Sequence, residues 1–301
     1  MLRRSVLSTL GMLVLAAPVL CADAQAEAIR VLLIDGQNNH NWRATTPMLK
    51  RHLEAAGRFT VDVTSHLKAG DKPGSVKTVP FPPDLSKYDV VVSNYNGAPW
   101  PASFNNDLEE RLRTGKIAIV IVHAANNSFT NWKEYNEMIG MGWRGAGFGA
   151  RLVLDDSGKE VRSDKGKGPG AGHGSKHAFT VTVRDSSHPV TKDMPSEWRH
   201  TADELYHGMR GPIKNMKVLA TSYSDKKTGG TGEHEPMIWT VTYGKGRVFH
   251  TPMGHDLDGM ACVGFMATLQ RGTEWAATGK VTLPLPKEFP TPEKTSSVSS
   301  R

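Results

Sequence analysis

Three almost uninterrupted apolar runs constrain this chain most: AIRVLLIDG, DVVVS and KIAIVIVH. Each has strand length, is rich in β-branched residues and lacks alternation. A strand of that kind must be covered on both faces, as in a parallel sheet flanked by helices. Titratable residues follow such runs: His40 in GQNNHNW, His123 in IVIVHAANNSF, and His255 with Asp256 in FHTPMGHD. In open α/β sheets ligands bind at the carboxyl ends of the strands, so these residues are expected in one site.

Between the runs lie helical periodicities. Thr46 is expected to cap a helix beginning at Pro47, with Leu49, Leu53 and Ala56 on one face and Gly57 ending it. Phe104, Leu108 and Leu112 recur every four residues, and Gly115 closes that helix. FTVDV alternates like a further strand. The alternation of strand and helix predicts a doubly wound, mostly parallel α/β sheet. The second half is less regular. FGARLVLDD and HAFTVTVRD read as strands flanking a long Gly/Lys loop over 155–177. KVLATSYS, PMIWTVTYG and GRVFHTP read as more strands, and MACVGFMATLQRGTEWAAT as a closing helix.

The N-terminus reads as an export signal over 1–26: Arg3 and Arg4, an apolar stretch, then Ala24-Gln25-Ala26 before a mature start at Glu27. RRSVL also loosely resembles a twin-arginine signal. The expectation is a periplasmic or secreted protein. The apolar run is short and ends in Pro18, which argues against a retained membrane anchor. Pro-Val-Leu before Cys21 is a poor lipidation context. Cleavage would leave Cys262 as the only cysteine and exclude an intramolecular disulfide. Residues 27–283 are expected to form the domain, and the Pro/Ser/Thr/Lys-rich stretch 284–301 a flexible tail. Formal charge is +7 and becomes +6 once Arg3, Arg4 and Asp23 are lost. Lys159, Arg162, Lys165 and Lys167 cluster in one loop, without a basic stripe interleaved with aromatics. Nucleic acid is therefore not an expected partner.

Two further segments concentrate polar chemistry. GPGAGHGSKH holds His173 and His177 among glycines that let backbone approach a ligand closely. WRHTADELYHGMRGP holds His200, Asp203, Glu204, Tyr206 and His207. If helical, it would pair Asp203 with His207 and His200 with Glu204 on shared faces. Such groups suit proton transfer or metal binding. GEHEP, with Glu233, His234 and Glu235, reads as a surface turn. His52, His66 and His188 read as structural or exposed. After His123 come Ala124 and Ala125, with no Ser before Ser128, so nucleophilic catalysis of the amidotransferase kind is not expected.

DGQNNHNW, the strand ending in His123, WRHTADELY and HEPMIWTVTYGKGRVFHTPMGHD, in that order, resemble the ThuA-like family, named for trehalose utilisation. The resemblance spans residues 29–280. It implies a flavodoxin-like, class I glutamine amidotransferase-like fold lacking the amidotransferase cysteine. It also implies a link to disaccharide oxidation through keto-sugars. Many relatives carry a histidine soon after the Gly-Phe that follows the central helix. Here Gly147-Phe148 is followed by Gly-Ala-Arg, leaving His173 or His177 to take that place, or none.

The expected protein is thus a sugar-active enzyme with His40, His123, Asp203, Glu204 and His255 as catalytic candidates. Trp42, Asn126, His173, Tyr206 and Asp256 are the candidates for substrate binding, with Trp42 or Trp132 stacking on a sugar face. A divalent metal is compatible with these residues but not assigned. The expected partner is a small-molecule sugar; stable membrane insertion after cleavage is not expected, and the oligomeric state is left open. Two alternatives stand beside this reading: a non-catalytic carbohydrate-binding accessory protein, and a metal-dependent hydrolase of another substrate.

Overall fold

The computed structural model describes residues 27–298, so the expected signal segment lies outside the described residues. The three apolar runs become β1 (Ile29–Asp35), β4 (Val90–Ser93) and β5 (Ala118–Val122); β2 is Phe59–Ser65 and β3 is Thr78–Val79. Further along come β6 (Arg151–Leu154), β7 (Glu160–Ser163), β8 (Gly172–His173), β9 (His177–Val183), β10 (Glu197–Asp203) and β11 (Tyr206–His207). The chain then forms β12 (Met216–Tyr223), β13 (His234–Tyr243) and β14 (Gly246–Thr251). The main sheet runs β10-β9-β12-β13-β14-β5-β4-β1-β2-β3. From β14 to β3 every pair is parallel, and from β10 to β14 every pair is antiparallel. β1, β4 and β5 sit side by side and parallel, as their lack of a polar face requires.

The helices are α1 (Trp42–Ala55), α2 (Ala102–Arg113), α3 (Lys133–Ile139), α4 (Leu257–Ala261) and α5 (Val263–Thr278). Successive strand residues point to opposite faces. Val31 and Leu33 therefore join the core formed with Met48, Leu49 and Leu53 of α1 and Phe265 and Leu269 of α5. Leu32 and Ile34 join the core formed with Phe104, Leu108 and Leu112 of α2 and Tyr135 and Met138 of α3. The sheet is covered on both faces, the doubly wound arrangement read from the sequence. No helix among the described residues is long and apolar enough to cross a membrane.

Four local expectations are corrected. α1 begins at Trp42, with Pro47 inside it. Thr46 is not the cap, because it lies a turn inside the helix; its hydroxyl and that of Thr45 accept from the Asn94 amide at 3.1 Å. WRHTAD is a strand, not a helix: Trp198 and His200 alternate inward. A bulge between Arg199 and Ala202 then turns Asp203 inward as well. Glu235 is not in a surface turn. It is 1% exposed on β13 and paired with the buried Arg151 guanidinium. The Gly/Lys loop carries a hairpin of β6 and β7, and the buried Arg210 guanidinium gathers carbonyls of Asp164, Lys167 and Pro169 from it. After residue 283 the chain runs along the domain. Thr291 O accepts from Arg199 N, Ser296 O from Val263 N, and Val298 N donates to Ala261 O, each at 2.9 Å.

Candidate functional site

β5 leads directly into His123, whose φ of 45° lies in the left-handed region that non-glycine residues rarely use. This sharp turn aims the ring across the sheet edge. Its Nδ1 lies 2.7 Å from Pro252 O, and a carbonyl only accepts, so Nδ1 carries the proton. The lone pair is then on Nε2, which accepts from the Tyr206 hydroxyl at 2.9 Å. Burial pushes the His123 pKa down to about 3, so the ring is neutral. Arg144 staples the turn after β5 by donating to the carbonyls of Asn126, Asn127 and Ser128.

His40 follows β1, and its ring centroid lies 4.8 Å from those of both His123 and His255. The Asn38 amide donates through Nδ2 to Asn94 O, so its Oδ1 accepts from His40 Nδ1 at 3.1 Å. Nε2 is again the free lone pair. Burial, then the neighbouring His255 and His173, lower the His40 pKa to about 4. His255 follows β14 through Gly254. That glycine has a φ of 97°, and a Cβ there would meet Phe265 at 2.7 Å. His173 arrives by another route, the two-residue ladder of β8 with β11, which sets it opposite Tyr206. Its Nδ1 donates to Gly174 O at 2.7 Å.

These imidazoles surround one carboxylate. Glu204 Oε1 lies 3.3 Å from His255 Nε2 and 3.4 Å from His173 Nε2, while Oε2 lies 3.7 Å from His123 Nε2. The ring proton of His173 is committed to a backbone carbonyl, so its Nε2 lone pair faces the carboxylate, whereas that of His123 is taken by the Tyr206 hydroxyl. Acceptors facing acceptors require a proton or a cation between them. Burial raises the Glu204 pKa, which fits a carboxylate held in this position without enough donors. His40, Glu204 and His255 each offer a ligand atom, all within 4.8 Å of one another. Two imidazoles and a carboxylate suit zinc or another first-row divalent ion, and the Nδ1–H bond of His40 to Asn38 is the usual support of a ligating imidazole. The residues present therefore fit a metal.

Asp203, expected as a catalytic residue, is instead a positioning residue. It is 0% exposed. Oδ1 accepts from the backbone N–H of Glu204 (2.8 Å) and His255 (3.0 Å); Oδ2 accepts from Gly254 N–H (2.7 Å) and His200 Nε2 (2.8 Å). It thus ties the end of β10 to the turn after β14 and sets the spacing of Glu204 and His255. Burial raises its pKa, but the His200 bond and charge, then His123 and the Gly254 N–H, outweigh this and hold it at about 2. Burial also lowers the His200 pKa, yet Cys262 and Asp203 outweigh it and lift it to about 9.

Two expected substrate-binding residues do not face the cluster's opening. Asn126 is fully buried, with its amide facing His250 and Met209 and its oxygen accepting from Trp143 N. Trp42 is 4% exposed, with Arg43 over its ring and Gly74 against its edge; it lines a hollow beside His40 but has no open ring face for a sugar to stack on. Trp132 packs among Phe129 and Tyr135. Asp256 caps α4 and pairs with Lys176, beside His255 Nδ1 at 3.3 Å. His177 bonds Ser175 O instead of joining the cluster. The aromatic ring at the site is Trp143, half-buried, 4.5 Å from the Tyr206 ring and 5.8 Å from that of His173. The sequence gives it little signal, since it sits in an irregular turn after α3.

The model of the ThuA family, described as trehalose utilisation, matches residues 30–276. The chain belongs to that family. It is similar to a putative ThuA-like protein from Parabacteroides merdae, 43% identical with a TM-score of 0.82, covering 91% of this chain and 99% of that one. A putative ThuA-like protein from Bacteroides uniformis shares the fold at 17% identity and a TM-score of 0.55, covering 86% and 95% of the two chains. A comparison with curated proteins gives no match.

Proposed function

We propose that this ThuA-family chain is an enzyme of sugar metabolism that transfers protons next to the carbonyl of an oxidised sugar, at a divalent-metal centre. The observation that carries this reading is the convergence of His40, Glu204 and His255 within 4.8 Å. A bound divalent ion would polarise a sugar oxygen and favour charge developing on it. His173, 38% exposed at the mouth, is the group best placed to take a proton from substrate, because its Nδ1–H stays on Gly174 O and its Nε2 faces the site. Burial pushes the Tyr206 phenol pKa up, so it stays protonated; with its one proton given to His123 Nε2, its oxygen is left to accept from a substrate hydroxyl. His123, buried beneath it, holds that hydroxyl in place. The half-exposed Trp143 ring suits the C–H face of a pyranose.

An amidotransferase reaction is not part of the proposal. His123 stands at the end of β5, and Ser128 Oγ donates to Tyr95 O. Export is part of it: residues 1–26 would direct the chain to the periplasm or outside the cell. The test is a screen of disaccharides and their keto forms with the metal-loaded protein. We expect turnover of a keto form, lowered at least about a hundredfold in His173→Gln with bound metal unchanged. No turnover of any sugar, or an unchanged rate in His173→Gln, would remove this reading.

A further inference from the structure

We infer, resting on the metal centre proposed above, that Asp256 is the carboxylate that orients His255 for the ion, and that Lys176 competes with His255 for the same oxygen. His255 turns its Nε2 toward Glu204 Oε1 at 3.3 Å, so as a ligand it keeps its proton on Nδ1. That Nδ1 is buried and has no hydrogen bond among the described residues. A buried donor without a partner is rare and unfavourable. Asp256 Oδ2 stands 3.3 Å from it. The other imidazole of the cluster is already supported, since Asn38 Oδ1 accepts from His40 Nδ1 at 3.1 Å. A ligating imidazole is usually oriented by such a bond from its second nitrogen, and a carboxylate is a common acceptor for it.

The two oxygens of Asp256 have separate partners. Oδ1 accepts from the N–H groups of Asp258 (3.0 Å) and Gly259 (3.1 Å) and so caps α4. Oδ2 is left for Lys176 Nζ and for His255 Nδ1. Lys176 is brought there by the loop between β8 and β9, which Ser175 N fixes to Thr228 O at 2.8 Å. Its ammonium also donates to Asp258 Oδ2 at 3.2 Å, so it keeps a carboxylate when it gives up Asp256. A divalent ion on Nε2 draws electron density from the ring and makes Nδ1–H a stronger donor. Binding the ion therefore draws Oδ2 from Lys176 toward His255, and the carboxylate in return makes the ring a more basic ligand. The loop that carries Lys176 also carries His173, so the ion and the loop holding the proposed base contend for one oxygen.

The test is the zinc affinity of the full chain, measured by competition with a chromophoric chelator. Asp256→Asn keeps the Oδ1 cap, since Asn caps as well as Asp, and puts an NH2 group in place of Oδ2. We expect it to weaken zinc binding about ten- to a hundredfold and to leave the urea midpoint of the zinc-free protein unchanged. Asp258→Asn removes the same charge beside Lys176 without touching His255, and should leave the affinity within about twofold. Lys176→Met should tighten zinc about two- to fivefold in the parent and not at all on top of Asp256→Asn, because the lysine acts through that carboxylate. An Asp256→Asn affinity within about twofold of the parent, or equal weakening by Asp256→Asn and Asp258→Asn, would overturn the orienting role. The same tightening by Lys176→Met with and without Asp256→Asn would show plain charge repulsion and overturn the competition. If Asp256→Asn folds poorly, Lys176→Met is read beside Asp258→Asn, where it should still tighten zinc and where no tightening would overturn the competition. A parent chain that takes up no zinc would remove the metal centre and the role of Asp256 with it, whereas the other failures leave the metal centre standing.

Discussion

Asp203→Asn isolates the device that holds the site together. The variant keeps the shape but replaces one carboxylate oxygen with an NH2 group. Placed at Oδ1, that group would face the N–H of both Glu204 and His255; placed at Oδ2, it faces Gly254 N–H and His200. The second choice costs less, because His200 can lose its proton and accept from the amide. It still leaves the buried Gly254 N–H without a partner, at about 1–3 kcal/mol. It also removes the Asp203 share of the lift that, with Cys262 first, raises His200 from 6.5 to about 9; the full shift corresponds to about 3 kcal/mol by linkage, so this share is at most that. A group with a raised folded pKa contributes stability that is complete below its unfolded value and is lost as pH rises through the folded one. We therefore expect Asp203→Asn to cost about 3–5 kcal/mol near pH 6, in line with breaking a buried pair. The cost should shrink toward about 1–3 kcal/mol by roughly pH 9.5. Urea denaturation at both pH values measures this. A loss under about 1 kcal/mol at pH 6, or the same loss at both pH values, would refute the reasoning.

Two further outcomes test the fold that carries the site. Burial raises the pKa of Asp35, at the end of β1, to about 6, against the bonds from Ser65 and Thr46. Its protonated form is favoured in the fold, so stability is lost as pH rises from about 4 through about 6; Asp35→Asn should gain about 2–3 kcal/mol relative to the parent between those values, and a difference flat across that range would contradict it. Gly254→Ala combines a φ of 97° with a Cβ 2.7 Å from Phe265, so we expect a loss of about 2–4 kcal/mol in denaturant unfolding, and a neutral variant would show that this turn is not constrained as described.

The parallel sheet was legible because β1, β4 and β5 are too apolar for any edge. The convergence of His40, His123 and His255 was legible for the same reason: each follows a strand of that sheet, and the strands' carboxyl ends lie together. The antiparallel half carried less. Nothing local marks the bulge after Arg199 that turns Asp203 inward, so its carboxylate read as a reacting group when it is an anchor for backbone N–H groups. Thr46 read as a cap because Pro47 marks a helix start, whereas the helix begins at Trp42 and Thr46 inside it meets Asn94, 48 residues away. His173 was found, but the reason for its place was not, since a two-residue ladder with Tyr206 has no periodicity to read. Trp143 was missed and Trp42 chosen, because side-chain exposure at the edge of a site depends on packing from distant segments.

The most direct test of the account is divalent-metal content of gently purified protein by mass spectrometry, repeated on His40→Ala, His255→Ala and Glu204→Gln. The account predicts about one ion per chain in the parent. It also predicts strong loss in all three variants, with folding confirmed by circular dichroism. Metal-free parent protein that takes up no zinc, manganese or other first-row divalent ion on titration, or folded variants that retain the full complement, would contradict it.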